Sequence, residues 1–173
     1  MTRILGIDPG SRTTGYGVVE LEKGEYRYIE SGALRIRGEP LPQRLHAIFD
    51  SVSEVLDRCQ PDDFAIENVF MHRNADSALK LGQARGAAIC SAANRAVTVY
   101  EYTPAEIKKA VVGRGNATKE QVQMMMRALL KLSGNPQADE ADALACAVCH
   151  GHHSSNIRKL GLPLSGSRRG RWR

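Results

Sequence analysis

Residues 4–22 read ILGIDPGSRTTGYGVVELE, and the fold turns on how Asp8 is understood. Ile4, Leu5 and Ile7, interrupted only by Gly6, have the character of a buried strand, yet the strand runs straight into a carboxylate. Asp8-Pro9-Gly10 has the composition of a tight turn. The same aspartate also fits the phosphate loop of a nucleotide-binding sheet, or a metal ligand at a sheet edge. The rest of the chain has to choose between these readings.

Outward from Asp8, residues 14–22 and 25–36 predict two longer strands joined at Lys23-Gly24, so that the first three strands form an antiparallel meander. Between Leu41 and Cys59, apolar Leu45, Ile48, Phe49, Val52, Val55 and Leu56 recur at three- and four-residue spacing, which predicts an amphipathic helix stopped before Pro61. DDFAIEN (62–68) predicts a short inner strand that again ends on a carboxylate, Glu67. Residues 75–95 predict a helix rich in alanine and glycine. Its interior glycines, at a cost of about 1 kcal/mol each, predict close backbone approach to another element. TVYEY (98–102) predicts a fifth strand. Thr103-Pro104-Ala105-Glu106 has the form of a capping box, Gly113–Asn116 breaks the helix it opens, and Thr118 with Gln121 caps a further helix running to Leu132. A last helix is predicted over 137–151. Three meandering strands followed by α/β units indicate an α/β protein of ribonuclease-H-like fold, with a central five-stranded mixed sheet flanked by helices. In such sheets strand-end residues converge on one edge.

The 173 residues suit one domain with a real core. No apolar run reaches the roughly 18 residues of a membrane helix and no leader pattern opens the chain, so the expected location is cytoplasmic, without a membrane partner. Cys59, Cys90, Cys146 and Cys149 lack the spacing of a disulfide framework. Cys146 and Cys149 stand beside His150, His152 and His153, but they follow the apolar run ALACAV and no second pair exists, so buried free thiols are expected rather than a zinc site. The net charge of +5 is unevenly placed. Residues 154–173 carry six basic side chains and no acid, and are expected to form a disordered basic tail behind a nuclease-like domain spanning 1–153. Within the body, 73–119 holds Arg73, Lys80, Arg85, Arg95, Lys108, Lys109, Arg114 and Lys119 against three acids. That segment is the candidate polyanion-binding face.

Four carboxylates stand out by placement: Asp8 and Glu67 at strand ends, and Asp139 with Asp142 in NPQADEADALA. Spacing of i, i+3 puts the last two on one helix face, roughly 5–6 Å apart at Cβ, with Glu140 turned elsewhere. If the two strands are neighbours and the last helix crosses their ends, all four share one volume. Like charges so gathered call for a divalent cation, and hard carboxylate oxygens suit magnesium. Two such ions about 3.5–4 Å apart give the two-metal scheme of phosphodiester hydrolysis. The glycines behind Asp8 are expected to leave room for a phosphate backbone.

LGIDPGSRTTGYG, FAIENVFMHRNADSALKLGQARG, VVGRGNATKEQVQ and NPQADEADALA together resemble the four motif blocks of the RuvC family of Holliday-junction resolvases. The resemblance runs from about residue 1 to 153. It implies a homodimeric, magnesium-dependent crossover junction endodeoxyribonuclease acting in recombination and repair, with manganese as a substitute metal. Such an enzyme nicks four-way DNA junctions symmetrically to leave 5′-phosphate and 3′-hydroxyl ends. It works with a junction-binding protein and a hexameric branch-migration motor. By motif position, the family's catalytic metal ligands fall on Asp8, Glu67, Asp139 and Asp142. Phe70 matches an aromatic that stacks on opened bases, and Lys108 and Lys119 match lysines near the scissile phosphate. Arg73, Lys80, Arg85 and Arg114 join them as candidate DNA contacts. The helix over 75–95, with Gly82 and Gly86, is the candidate dimer contact. An actin- or sugar-kinase-like ATPase would need a second D-x-G loop, which is absent after residue 10. A hybrid-cutting nuclease of the same fold would lack the second and fourth blocks. A non-enzymatic junction scaffold would have lost a carboxylate, and none is lost.

Overall fold

The computed structural model describes residues 1–36, 40–69 and 74–159. Ten elements follow in the order β1 (Thr2–Asp8), β2 (Thr13–Glu22), β3 (Glu25–Arg35), α1 (Leu41–Cys59), β4 (Asp63–Glu67), α2 (Ala75–Ala93), β5 (Thr98–Tyr102), α3 (Pro104–Val112), α4 (Lys119–Leu129) and α5 (Ala138–Lys159). The five strands form one mixed sheet in the order β3-β2-β1-β4-β5. β1, β2 and β3 pair antiparallel, whereas β4 lies parallel to β1 and β5 parallel to β4. The expected sheet and strand count are thus found, and the parallel half points the C-terminal ends of β1, β4 and β5 to one edge.

Alternation along the strands divides the core in two. Leu5, Ile7, Phe64 and Ile66 pack with α1 and α2 on one face. Ile4, Val19 and Ala65 pack with α3, α4 and α5 on the other. Residues 6 and 8 share the side of Ile4, and residue 67 shares that of Ala65. Asp8 and Glu67 therefore project from the face that carries α5.

α5 lies unusually close to the strands because three glycines leave it room. A Cβ on Gly6 would come 2.1 Å from the Ala143 carbonyl oxygen, one on Gly15 2.0 Å from the Asp139 carbonyl, and one on Gly17 2.7 Å from the Leu144 side chain. Gly10 has a more local role than the expected clearance for phosphate. Its Cβ would overlap the Thr13 carbonyl oxygen at 1.9 Å, so the turn itself requires it.

Some boundaries differ from expectation. α4 ends at Leu129 rather than Leu132, because Lys131 adopts φ 53° and turns the chain while Leu130 and Leu132 still pack on the core. α5 continues to Lys159, eight residues past the expected stop, so residues 154–159 are helical rather than tail. Gly151 serves close packing there, since a Cβ would meet the Tyr26 hydroxyl at 2.5 Å. Residues 160–173, the rest of the expected tail, lie outside the described residues. In α2 the buried side chains are Ala84, Ala88, Ser91 and Ala92, whereas Gly82 and Gly86 face open space within this chain. The expected close approach through those glycines does not occur inside the monomer.

Candidate active site

β1 delivers Asp8 to the C-terminal sheet edge, with Ile7 in register with Ile66 one step earlier. β4 delivers Glu67 to the same edge, held by pairing with Tyr102 of β5 and by the Asn68 amide donating to the Tyr102 carbonyl at 2.7 Å. α5 supplies the third carboxylate. Its first turn rests on Gly15 and its second on Gly6, which carries Asp142 over the strand ends. Three carboxylates from three separate elements are thereby brought within electrostatic reach.

Their protonation reports that reach. Burial, and then the neighbouring charges of Glu67, Asp142 and Asp139, push Asp8 up to about 8. Burial and Asp142 push Glu67 up to about 7, against the opposing pull of Lys108 and Lys119. Asp142 is raised by burial first, while Lys119, whose Nζ stands 3.6 Å from Asp142 Oδ2, draws it back. Asp139 is half-buried in the first turn of α5 and adds to the field on both Asp8 and Asp142. Glu140 does turn away, accepting from Ser31 Oγ of β3 at 3.5 Å.

The donor set is all hard oxygen, half-buried and mutually repelling, the chemistry that suits magnesium or another hard divalent cation. Among the described residues no three acidic, histidine or cysteine side chains already converge as a ready ligand cage. A cation seated among Asp8, Glu67, Asp139 and Asp142 would offset the mutual repulsion that raises Asp8, Glu67 and Asp142. The residues therefore fit a metal by chemistry.

Two lysines face this cluster. Lys108 is half-buried on α3 and exerts its charge on Glu67 and Asp142, and exposed Lys119 opens α4. Both helices begin with complete capping boxes, Thr103 with Glu106 and Thr118 with Gln121, so the turns that place the lysines are locally determined. Lys109 lies apart with His152 and Tyr26, beside a cavity of about 560 Å³ that contains none of the carboxylates.

Arg85, expected to meet DNA, is spent internally. Its guanidinium donates to the Glu67 carbonyl at 3.3 Å and to Asn68 Oδ1 at 2.9 Å, and pairs with Glu101 at 2.9 Å. It braces the end of β4, a role without a sequence signature because its partners lie on other elements. Lys80 pairs with Asp76 one turn earlier at 2.5 Å on the exposed surface. Arg114 is exposed in the loop between α3 and α4. Phe70 and Arg73 lie outside the described residues.

Among the described residues, Cys146, Cys149 and His150 of α5 serve the core. Cys146 and Cys149 are fully buried, and burial lifts both thiols, Cys149 to about 12. His150, also fully buried, joins the Tyr102 hydroxyl at 2.8 Å and Asp63 Oδ2 at 3.0 Å, tying α5 to β4 and β5. The expected buried thiols are found, and the Asp63–His150–Tyr102 chain is a structural tie without a sequence signature.

Comparison with known proteins points the same way. The family model for crossover junction endodeoxyribonuclease RuvC matches residues 4–150. Curated relatives bearing that name include those of Hahella chejuensis, 56% identical, and Aeromonas salmonicida, 55% identical, each aligned over the full length of both chains. Among solved structures, Thermus thermophilus RuvC in complex with Holliday junction substrate is similar with a TM-score of 0.84 at 36% identity, covering 89% of this chain and 95% of that one. The yeast mitochondrial Holliday junction resolvase Ydc2 shares the fold at a TM-score of 0.63 and 14% identity, over 93% of this chain and 85% of its own.

Proposed function

The chain belongs to the RuvC family of crossover junction endodeoxyribonucleases, and on that premise we propose that it resolves four-way DNA junctions by hydrolysing paired phosphodiester bonds. The observation that carries the reading is the meeting of Asp8, Glu67 and Asp142, from three elements, at one sheet edge with Lys119 against them.

In this reading Asp8, Glu67, Asp139 and Asp142 hold magnesium, with manganese as a substitute and two ions per site. Bound there, the ions would supply Lewis-acid stabilisation of the negative charge that develops on the phosphoryl and leaving oxygens and would lower the pKa of the attacking water. Asp8 is the central ligand, because it feels all three of the other carboxylates. Lys108 and Lys119 offset the acidic cluster and hold the scissile phosphate by its non-bridging oxygens. Arg85 keeps Glu67 in register by clamping its carbonyl. Water adds to phosphorus as the bond to O3′ breaks. The attacking water gives up one proton to solvent and the departing O3′ takes one from solvent, leaving a 3′-hydroxyl and a 5′-phosphate.

A junction has near two-fold symmetry, and a homodimer presents two sites to match it. The outer face of α2, with Gly82 and Gly86 uncovered and Leu79 68% exposed, supports placing the dimer contact there. Phe70, three residues past Glu67 in sequence, is the aromatic proposed to meet opened bases, and Arg73, Lys80 and Arg114 are further proposed DNA contacts. A junction-binding protein and a hexameric branch-migration motor complete the proposed partners.

The test is cleavage of a synthetic mobile four-way junction with magnesium. The wild type should give paired symmetric nicks, and Asp8→Asn should bind without cutting. Equal cutting of linear duplex, or full activity in the variant, would refute the assignment.

A further inference from the structure

The outer side of α4 carries a groove that the catalytic site does not use. It encloses about 570 Å³ and is lined by Met124, Arg127, Ala128, Lys131, Leu132 and Asn135. Arg127 and Lys131 are exposed, and neither has an ion pair or side-chain hydrogen bond among the described residues. No carboxylate lines the groove. Met124, at 65% exposure, adds apolar surface beside the two cations. Lone cations beside apolar surface suit a polymer that alternates phosphate and sugar.

The same helix begins at Lys119, 3.6 Å from the Asp142 carboxylate. Lys119, Gln123 and Arg127 recur every four residues along α4, an i+4 ridge that turns slowly about the helix, and Lys131 lies in the turn just past its end. At 1.5 Å per residue, Arg127 lies about 12 Å along the helix from Lys119. With roughly 3.4 Å of axial rise per nucleotide, that reaches the fourth nucleotide from the cut, and Lys131 shares the same groove just past the helix end.

We propose that this groove is a phosphate-binding track for one duplex arm of the junction, with Arg127 and Lys131 contacting the backbone about four to six nucleotides from the scissile phosphate. This rests on the reading of the site as a junction nuclease. The helix that opens at the site with Lys119 also lines the groove, and the free charge there is complementary to a phosphate backbone. An acidic segment of a protein partner is the competing occupant, and complementing the C-terminal helix dipole is the competing role for Arg127.

The experiment compares wild-type chain with Arg127→Gln/Lys131→Gln, using two junctions, one normal and one with neutral methylphosphonate linkages four to six nucleotides from the cut. Binding is followed against salt in calcium. On the normal junction the double variant should bind about tenfold more weakly, and its slope of log affinity against log salt should flatten by about 0.9 for each phosphate it no longer neutralises. On the neutralised junction wild type and variant should bind alike, because both changes remove the same charge pairs. Lys23→Asn, at the far hairpin, should leave the slope unchanged. An unaltered slope in the double variant, or a further weakening by the variant on the neutralised junction, would overturn the track and leave a protein partner or the helix dipole as the role of these cations. Wild-type cutting of the normal junction is scored separately, so the track can fail while the nuclease reading stands.

Discussion

Replacing Asp8 by asparagine should stabilise the metal-free protein at neutral and alkaline pH, although it removes the group most needed for cleavage. The folded state holds Asp8 at about 8 against an ordinary 3.8, chiefly through burial and then through Glu67, Asp142 and Asp139. Below pH 4 both folded and unfolded chains keep the proton, and the group does not affect stability. Between pH 4 and 8 the unfolded chain releases it and the folded chain does not, so stability falls as pH rises. Above about 8 the loss is complete. Four pKa units at 1.36 kcal/mol each set a ceiling of about 5 kcal/mol, and sharing of the repulsion with Glu67 reduces the effect of one substitution to about 2–3 kcal/mol. For a domain of this size that corresponds to a rise in melting temperature of roughly 5–10 °C. Thermal melts in EDTA from pH 4 to 9 should show Asp8→Asn and wild type converging at the acid end and separating progressively from about pH 4 to pH 8. Magnesium at a hundredfold its dissociation constant should restore about 2.7 kcal/mol to the wild type and much less to the variant. A variant that melts at or below the wild type throughout would refute the picture of an electrostatically strained carboxylate cluster.

Gly6→Ala should be among the most damaging small substitutions in the chain. Its Cβ would sit 2.1 Å from a backbone carbonyl of α5, so helix and sheet must separate, at a cost of about 3 kcal/mol or more in denaturant titration. Lys119→Gln should lower the cleavage rate roughly a hundredfold. Because Lys119 lowers the Asp142 pKa, its loss should also move the acid limb of the pH–rate profile upward.

Local features are legible in the sequence wherever their partners lie within a turn. The Thr103 and Thr118 capping boxes close over three residues, and both form as expected. The β1–β2–β3 meander follows from alternation and the Lys23-Gly24 turn, where both residues take positive φ. The end of α4 is hidden in the sequence because Leu130 and Leu132 keep the apolar rhythm after the helix has turned away at Lys131. The length of α5 is hidden too, because Gly151 in sequence looks like a breaker, whereas in the fold it admits the Tyr26 ring.

Sequence by itself determined the order of elements and the carboxylates that stand at their ends, since strand period, capping chemistry and acidic placement are all written along the chain. Tertiary structure alone decided that Arg85 braces Glu67 rather than facing solvent, that Gly6 and Gly15 admit α5, and that Arg127 and Lys131 remain unpaired among the described residues. The physical reason is common to the three. Each depends on which atoms from distant parts of the chain come within a few ångströms, and neither periodicity nor composition records that distance.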